Sequence, residues 1–382
     1  MRLFDRAVSR RIKSPVAYTW LVASLFSFAL QSTANAQVMA GTSVYVRTDS
    51  DRTTVIAPRW HVGAPVADTT RVDVVYTADV WTSASIDIRS SASKAVTEQR
   101  DEINGTVTQD WEDFSLSATY RYSHEYDYVS HGATLSGSLA LGEKSTTLDF
   151  RLNGTFDDVG RAGDRNFNRN VRNLGARIGF TQLLDAETFV QGAYELMSAH
   201  GFNSSPYRYV GLGSENGLCS GMGTMYCIPE ANPSERLRHA LVGTLRRALG
   251  DQFAFGLSYR FYLDSWSLTS HTVMAELSYS PSATLMFALR YRFYLQGGAK
   301  HYKKVYEGSD TALRYYSNDK ELSALTSHRL GLDIEKEVEI DDRGHKLNIV
   351  VSLAPSIFMF SNYAPLSQIT AFEATLATVL KL

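Results

Sequence analysis

Six arginines cluster on three neighbouring stretches of the chain: Arg236, Arg238 and Arg246, then Arg260, then Arg290 and Arg292. A guanidinium is charged at any physiological pH and meets an oxyanion with a planar fork of N–H donors. Six of them close together, with Asp264 among them, could bind or steer an anion. Acids of the same pattern face them, among them Asp73, Asp79, Asp149, Glu195, Asp333 and Glu335. The competing reading is that these charges pair across neighbouring strands and only hold the wall. Six arginines, however, are too many to find partners locally.

Other chemistry is sparse. Cys219 and Cys227 have only seven residues between them. In an oxidising compartment such a pair is most simply a local disulfide, and no further ligands gather there for a metal. His124 with Glu125 and Asp127, and Ser270–His271 near Asp264, come nearest to a hydrolase constellation. Ser270 and His271 are successive residues, which on a strand point to opposite faces and cannot converge. G-x-S-x-G, H-E-x-x-H and P-loop patterns do not occur. The histidines read as rim or loop residues, and neither an enzyme nor a cofactor is expected. A net charge of −2 offers no basic surface to nucleic acid.

The elements that carry the arginines repeat one pattern. In "ALGDQFAFGLSYRFYLDSW", Phe253, Phe255, Leu257, Tyr259, Phe261 and Leu263 alternate with small, polar or charged residues, Arg260 and Asp264 included. The same period of two runs through "DFSLSATYRYSHEY", "STTLDFRLNGTFD", "ATLMFALRYRFYLQ" and "SHRLGLDIEKEV", and more faintly elsewhere. Most of these runs exceed the five or six residues of an ordinary strand and suit a tilted membrane crossing of roughly 9 to 11. Tight turns at 111–113, 141–144, 183–187, 248–251, 280–283 and 341–345 alternate with longer loops near 84–101, 157–170, 200–234 and 297–323. Short turns at one end and long loops at the other describe an all-β, up-and-down antiparallel transmembrane β-barrel of outer-membrane type. The count gives sixteen strands. Pro58 interrupts the second, so residues 37–68 could instead be a plug or periplasmic segment, leaving fourteen. The apolar faces meet lipid and the arginines face the lumen.

Residues 1–36 read as an export signal, with Arg2, Arg6, Arg10, Arg11 and Lys13, an apolar stretch from about Val16 to Leu30, and a cut expected between Ala36 and Gln37. The mature chain, 37–382, is expected to be a single barrel domain in a bacterial outer membrane, where lipid and the barrel-assembly machinery are its first partners.

Several strings near strand ends, "YTADVWTSASIDIRSSASKAVTEQRDEI", "SHEYDYVSHG", "GFNSSPYRYVG", "YRFYLDSWSLTSHT", "RYRFYLQGGAKHYKKVY" and "SNDKELSAL", resemble the bacterial family of unknown function numbered 3570. The resemblance implies an exported outer-membrane barrel of unassigned activity. It also suggests a link to extracytosolic redox or flavin-bearing proteins, and brings no catalytic residue with it. Within these strings "SSPYR" and "DKELS" could fold inward as a constriction. The functional expectation is a channel or docking barrel for a polar or anionic small solute or peptide. The alternatives are a scaffold for a redox or maturation system and, last, an outer-membrane hydrolase.

Overall fold

A computed structural model describes residues 38–83 and 96–382; the expected export signal lies outside them. The wall strands in chain order are β1 (Met39–Asp49), β2 (Thr53–Ala67), β3 (Thr70–Ser83), β4 (Val96–Asp110), β5 (Phe114–His124), β6 (Tyr128–Leu141), β7 (Thr146–Val159), β8 (Arg169–Leu183) and β9 (Thr188–Gly201). A small ribbon, β10 (Tyr209–Leu212) and β11 (Tyr226–Pro229), interrupts the series. The wall resumes with β12 (Glu235–Leu249), β13 (Phe253–Asp264), β14 (Thr269–Ser282), β15 (Leu285–Gln296), β16 (Leu325–Glu339), β17 (Lys346–Phe360) and β18 (Gln368–Lys381). Sixteen strands close into an antiparallel barrel, sealed where β1 pairs with β18 from Met39↔Lys381 to Asp49↔Ala371. Closure satisfies every strand edge, which hydrocarbon demands. No helix among the described residues is long and apolar enough to cross a membrane.

Among its described residues, the span expected as a possible plug, 37–68, lies in the wall. Met39–Ala67 lie in the wall as β1 and β2. Pro58 stays opposite Val44 of β1; on the β3 side the pairing lapses at Ala57 and Pro58 and resumes at Arg59 without a shift. A missing N–H therefore costs one local gap rather than the strand. The loop expected at 84–101 is also shorter than its polarity suggested, because Val96–Asp101 pair with β3.

Alternation places the faces as the sequence pattern requires. Leu257, Tyr259, Leu289, Tyr291, Leu330 and Phe372 are among many large apolar side chains exposed on the outside. The charged residues of the same strands point inward, where they meet partners across the lumen wall. Connections of two to six residues join strands at the end that holds Val38 and Leu382. Gly250, at φ 69°, supplies the left-handed residue one of these turns needs. The opposite end carries the long loops, 202–234 and 297–324 above all. Followed from strand to strand, the registers advance on average one residue per strand around the wall. That stagger is what tilts the strands of a barrel.

Candidate functional site

The two long loops form a cap over the mouth. Leu212 bridges to Tyr306 and Ala231 to Tyr316, and Val210, Leu212, Tyr306 and Tyr316 bury one another. A second cluster, Trp266, Leu268, Ala299, Tyr302 and Leu322, ties loop 297–324 to the β13–β14 connection. Polar contacts complete the joint. The Glu230 carboxylate, fully enclosed, accepts from Ser317 Oγ at 2.6 Å and from the Ser205 N–H at 2.9 Å. Arg208 stands between Glu230 and Asp319. Burial pushes the Glu230 carboxyl up, against the pull of Arg208. The cap is also moored to the rim at both sides. Lys320 reaches Asp51 of the β1–β2 turn at 3.1 Å, and Tyr207 donates to Asp127 of the β5–β6 loop.

The Cys219–Cys227 disulfide is formed, with Cα atoms 5.3 Å apart, and its second cysteine lies in β11. It staples the ribbon of the cap, not the wall. Gly211 is needed beside it, since a Cβ there would stand 2.4 Å from the Leu218 carbonyl oxygen.

Beneath the cap a cavity of about 860 Å³ opens into the lumen, with Asp319, Lys320 and Glu321 in its roof. Arg236, Arg238, Arg260 and Arg292 line it; Arg246 lines a smaller cavity nearer the turn end. Asp264 organises one corner. It is buried, takes Arg236 at 2.6 Å, and accepts from the Tyr262 hydroxyl and from the N–H groups of Trp266 and Leu268. Arg236 also lies 4.2 Å over the Trp266 ring. Arg260 pairs with Glu195 at 2.5 Å. Arg290 is held between Glu276 and Asp333, both at 2.6 Å, and Arg246 approaches Glu276 at 3.6 Å.

Two arginines are different. Arg238 and Arg292 have no carboxylate within ion-pair distance among the described residues. Arg238 rests against Met197 Sδ, and Arg292 lies over the Tyr294 ring. Four of the six arginines thus sit in ion pairs of the wall, and two line the cavity outside any ion pair, Arg238 beside the Tyr262 side chain. Arg47 of β1 also lines it, a residue the sequence pattern had not singled out.

Ser270 and His271 do not converge. Ser270 is buried in the cavity lining, while His271 faces outward and meets Tyr259 Oη at 2.7 Å. Asp127 is engaged by Tyr207 of the cap.

The sequence model of the family described as "protein of unknown function (DUF3570)" matches residues 88–174 and 165–353, well over half of the chain. The chain belongs to DUF3570. No curated protein matches this DUF3570 chain. Among solved structures it is similar to OprD of Pseudomonas aeruginosa, with TM-score 0.42 and 9% identity over 91% of this chain and 96% of that one. OpdK of Pseudomonas aeruginosa, solved with vanillate, gives TM-score 0.46 and 10% identity over 91% and 99%. A bacterial polysaccharide outer membrane secretin gives 0.49 and 10% over 90% and 97%.

Proposed function

We propose that this barrel resides in a bacterial outer membrane and binds or passes a small anionic solute through its lumen, without covalent chemistry. The carrying observation is the pair Arg238 and Arg292, which line the cavity without carboxylate partners while their neighbours are neutralised. A charge focused in a narrow, low-dielectric passage raises the local concentration of counter-ions and sets which sign enters. The apolar outer face supports the membrane location, with lipid and the barrel-assembly machinery as partners. The test is reversal potential in planar bilayers under a salt gradient. An anion-selective current that loses its preference in Arg238→Ala/Arg292→Ala supports the reading; a cation-selective current overturns it.

The interlocked cap supports a second reading. A barrel with a covered mouth can serve as a platform for an extracytosolic redox or flavin-bearing protein. Complete absence of conductance, even after the Arg208–Asp319 and Lys320–Asp51 contacts are removed, favours the platform.

A further inference from the structure

Four histidines face away from the lumen in the same setting. Tyr120 Oη lies 2.7 Å from His131 Nδ1, and the pairs Tyr194–His239, Tyr259–His271 and Tyr291–His328 repeat that distance. In each pair the tyrosine stands on one strand and the histidine on the next, close to the long-loop end. The residues directly opposite every imidazole are uncharged, and all but Tyr122 are fully apolar: Tyr122 and Phe156 flank His131, and Leu196 and Leu263 flank His239. Phe261 and Leu295 flank His271, while Phe293 and Ile357 flank His328. No protein group among the described residues meets the remaining nitrogen, Nε2.

The registers place all four at one height. From His131 the row straight across the wall runs through Phe156, Arg172 and His200 to Glu235 of β12. His239 lies four residues nearer the turn end, after four strands. His271 lies two residues below the row from His239 after two strands, and His328 two below the row from His271 after two more. This descent of one residue per strand matches the stagger of the closed wall, so the imidazoles form a level ring. Asp101 of β4, which accepts from Tyr76 at 2.5 Å, continues the ring on the far side.

We propose that the arc of His239, His271 and His328, with His131 beyond it, is a binding site for the phosphate groups of an outer-leaflet glycolipid. The proposal rests on the membrane reading, with the long loops outward. In this site each tyrosine hydroxyl donates to Nδ1, the tautomer that puts the ring proton on Nε2, the nitrogen that meets no protein group. Such a donor is costly in hydrocarbon and needs an oxyanion or water at the interface. His239, His271 and His328 stand on alternate strands, roughly 10 Å apart. That spacing fits a disaccharide headgroup phosphorylated at both ends better than a single phosphodiester.

The test measures the unfolding midpoint of the barrel folded in zwitterionic micelles, with three additives: lipopolysaccharide, lipopolysaccharide treated with phosphatase, and phosphatidylglycerol. Folding without additive checks the membrane reading separately. We expect intact lipopolysaccharide alone to raise the midpoint by several degrees, and His239→Phe/His271→Phe/His328→Phe to abolish that rise while keeping the lipid-free midpoint. Should the triple variant not fold, His271→Phe alone is expected to lose about a third of the rise. An equal rise with either other additive, or a rise retained in the variants, overturns the proposal.

Discussion

The Arg208 guanidinium lies 2.9 Å from the Asp319 carboxylate, joining loops that leave the wall on opposite sides of β12–β15. Through this contact "SSPYR" meets "DKELS", and the cap becomes one body rather than two flexible loops. Breaking it loosens the cap without touching the wall, although the Leu212–Tyr306 and Ala231–Tyr316 bridges remain. Asp319→Ala is expected to increase conductance severalfold at an unchanged unfolding midpoint, read in single-channel records and heat-modified gel mobility.

Glu230 makes the cap sensitive to acid. Its folded carboxyl holds a proton more firmly than an exposed glutamate, whose ordinary pKa is about 4.3. A raised carboxyl favours the closed cap most when protonated, so closure tightens as pH falls into the range just above that value and loosens as pH rises out of it. Conductance should therefore drop on acidification, and Glu230→Gln should remove the dependence. A rise in conductance on acidification is the contrary result.

Among the lumen arginines, position predicts consequence. Arg238→Ala/Arg292→Ala should reduce anion preference severalfold with little loss of stability, because neither leaves a carboxylate behind. Arg290→Ala strips Asp333 of its ion-pair partner and Glu276 of the nearer of its two, and should lower the unfolding midpoint. Equal effects from the two variants in both assays would remove the distinction.

The faces of β13 can be tested directly. Leu257 is exposed outside, and arginine near the membrane midplane costs roughly 2 to 4 kcal/mol. Leu257→Arg should impair assembly into vesicles, whereas Arg260→Ala should assemble. The reverse pattern would mean that the strand faces the other way.

Replacing Cys219 and Cys227 with serine should leave the wall intact, since both lie in the cap. The loss should be confined to the ribbon, about 2 kcal/mol on the scale of a short disulfide loop. Limited proteolysis should then cut within residues 213–225 while barrel mobility on gels stays unchanged.

The wall was legible in the sequence because each strand carries its own period of two, so Leu257 and Arg260 declare their faces without any knowledge of neighbours. Pro58 misled, since its cost depends on which partner loses a hydrogen bond. The disulfide was legible from compartment and spacing. Arg238 and Arg260 were indistinguishable as residues; only the register that brings Glu195 to Arg260 separates them. His239, His271 and His328 read as isolated rim residues because their alignment exists only across strands. A usable signal was present in Tyr120–Arg121–Tyr122, Tyr259–Arg260–Phe261 and Tyr291–Arg292–Phe293, each preceding a strand with a histidine near its start.

The seam between β1 and β18 makes the two most distant parts of the chain each other's neighbours. Every other wall contact joins strands adjacent along the chain or separated by one loop, so hairpins can accumulate in order. The seam alone must span the whole wall and wait for the last strand to meet the first, and until then the first strand exposes an unsatisfied edge. Contacts of such long sequence separation form slowly and leave edges open to aggregation. Folding of this barrel is therefore a race between one late closure and misassembly of the unclosed sheet.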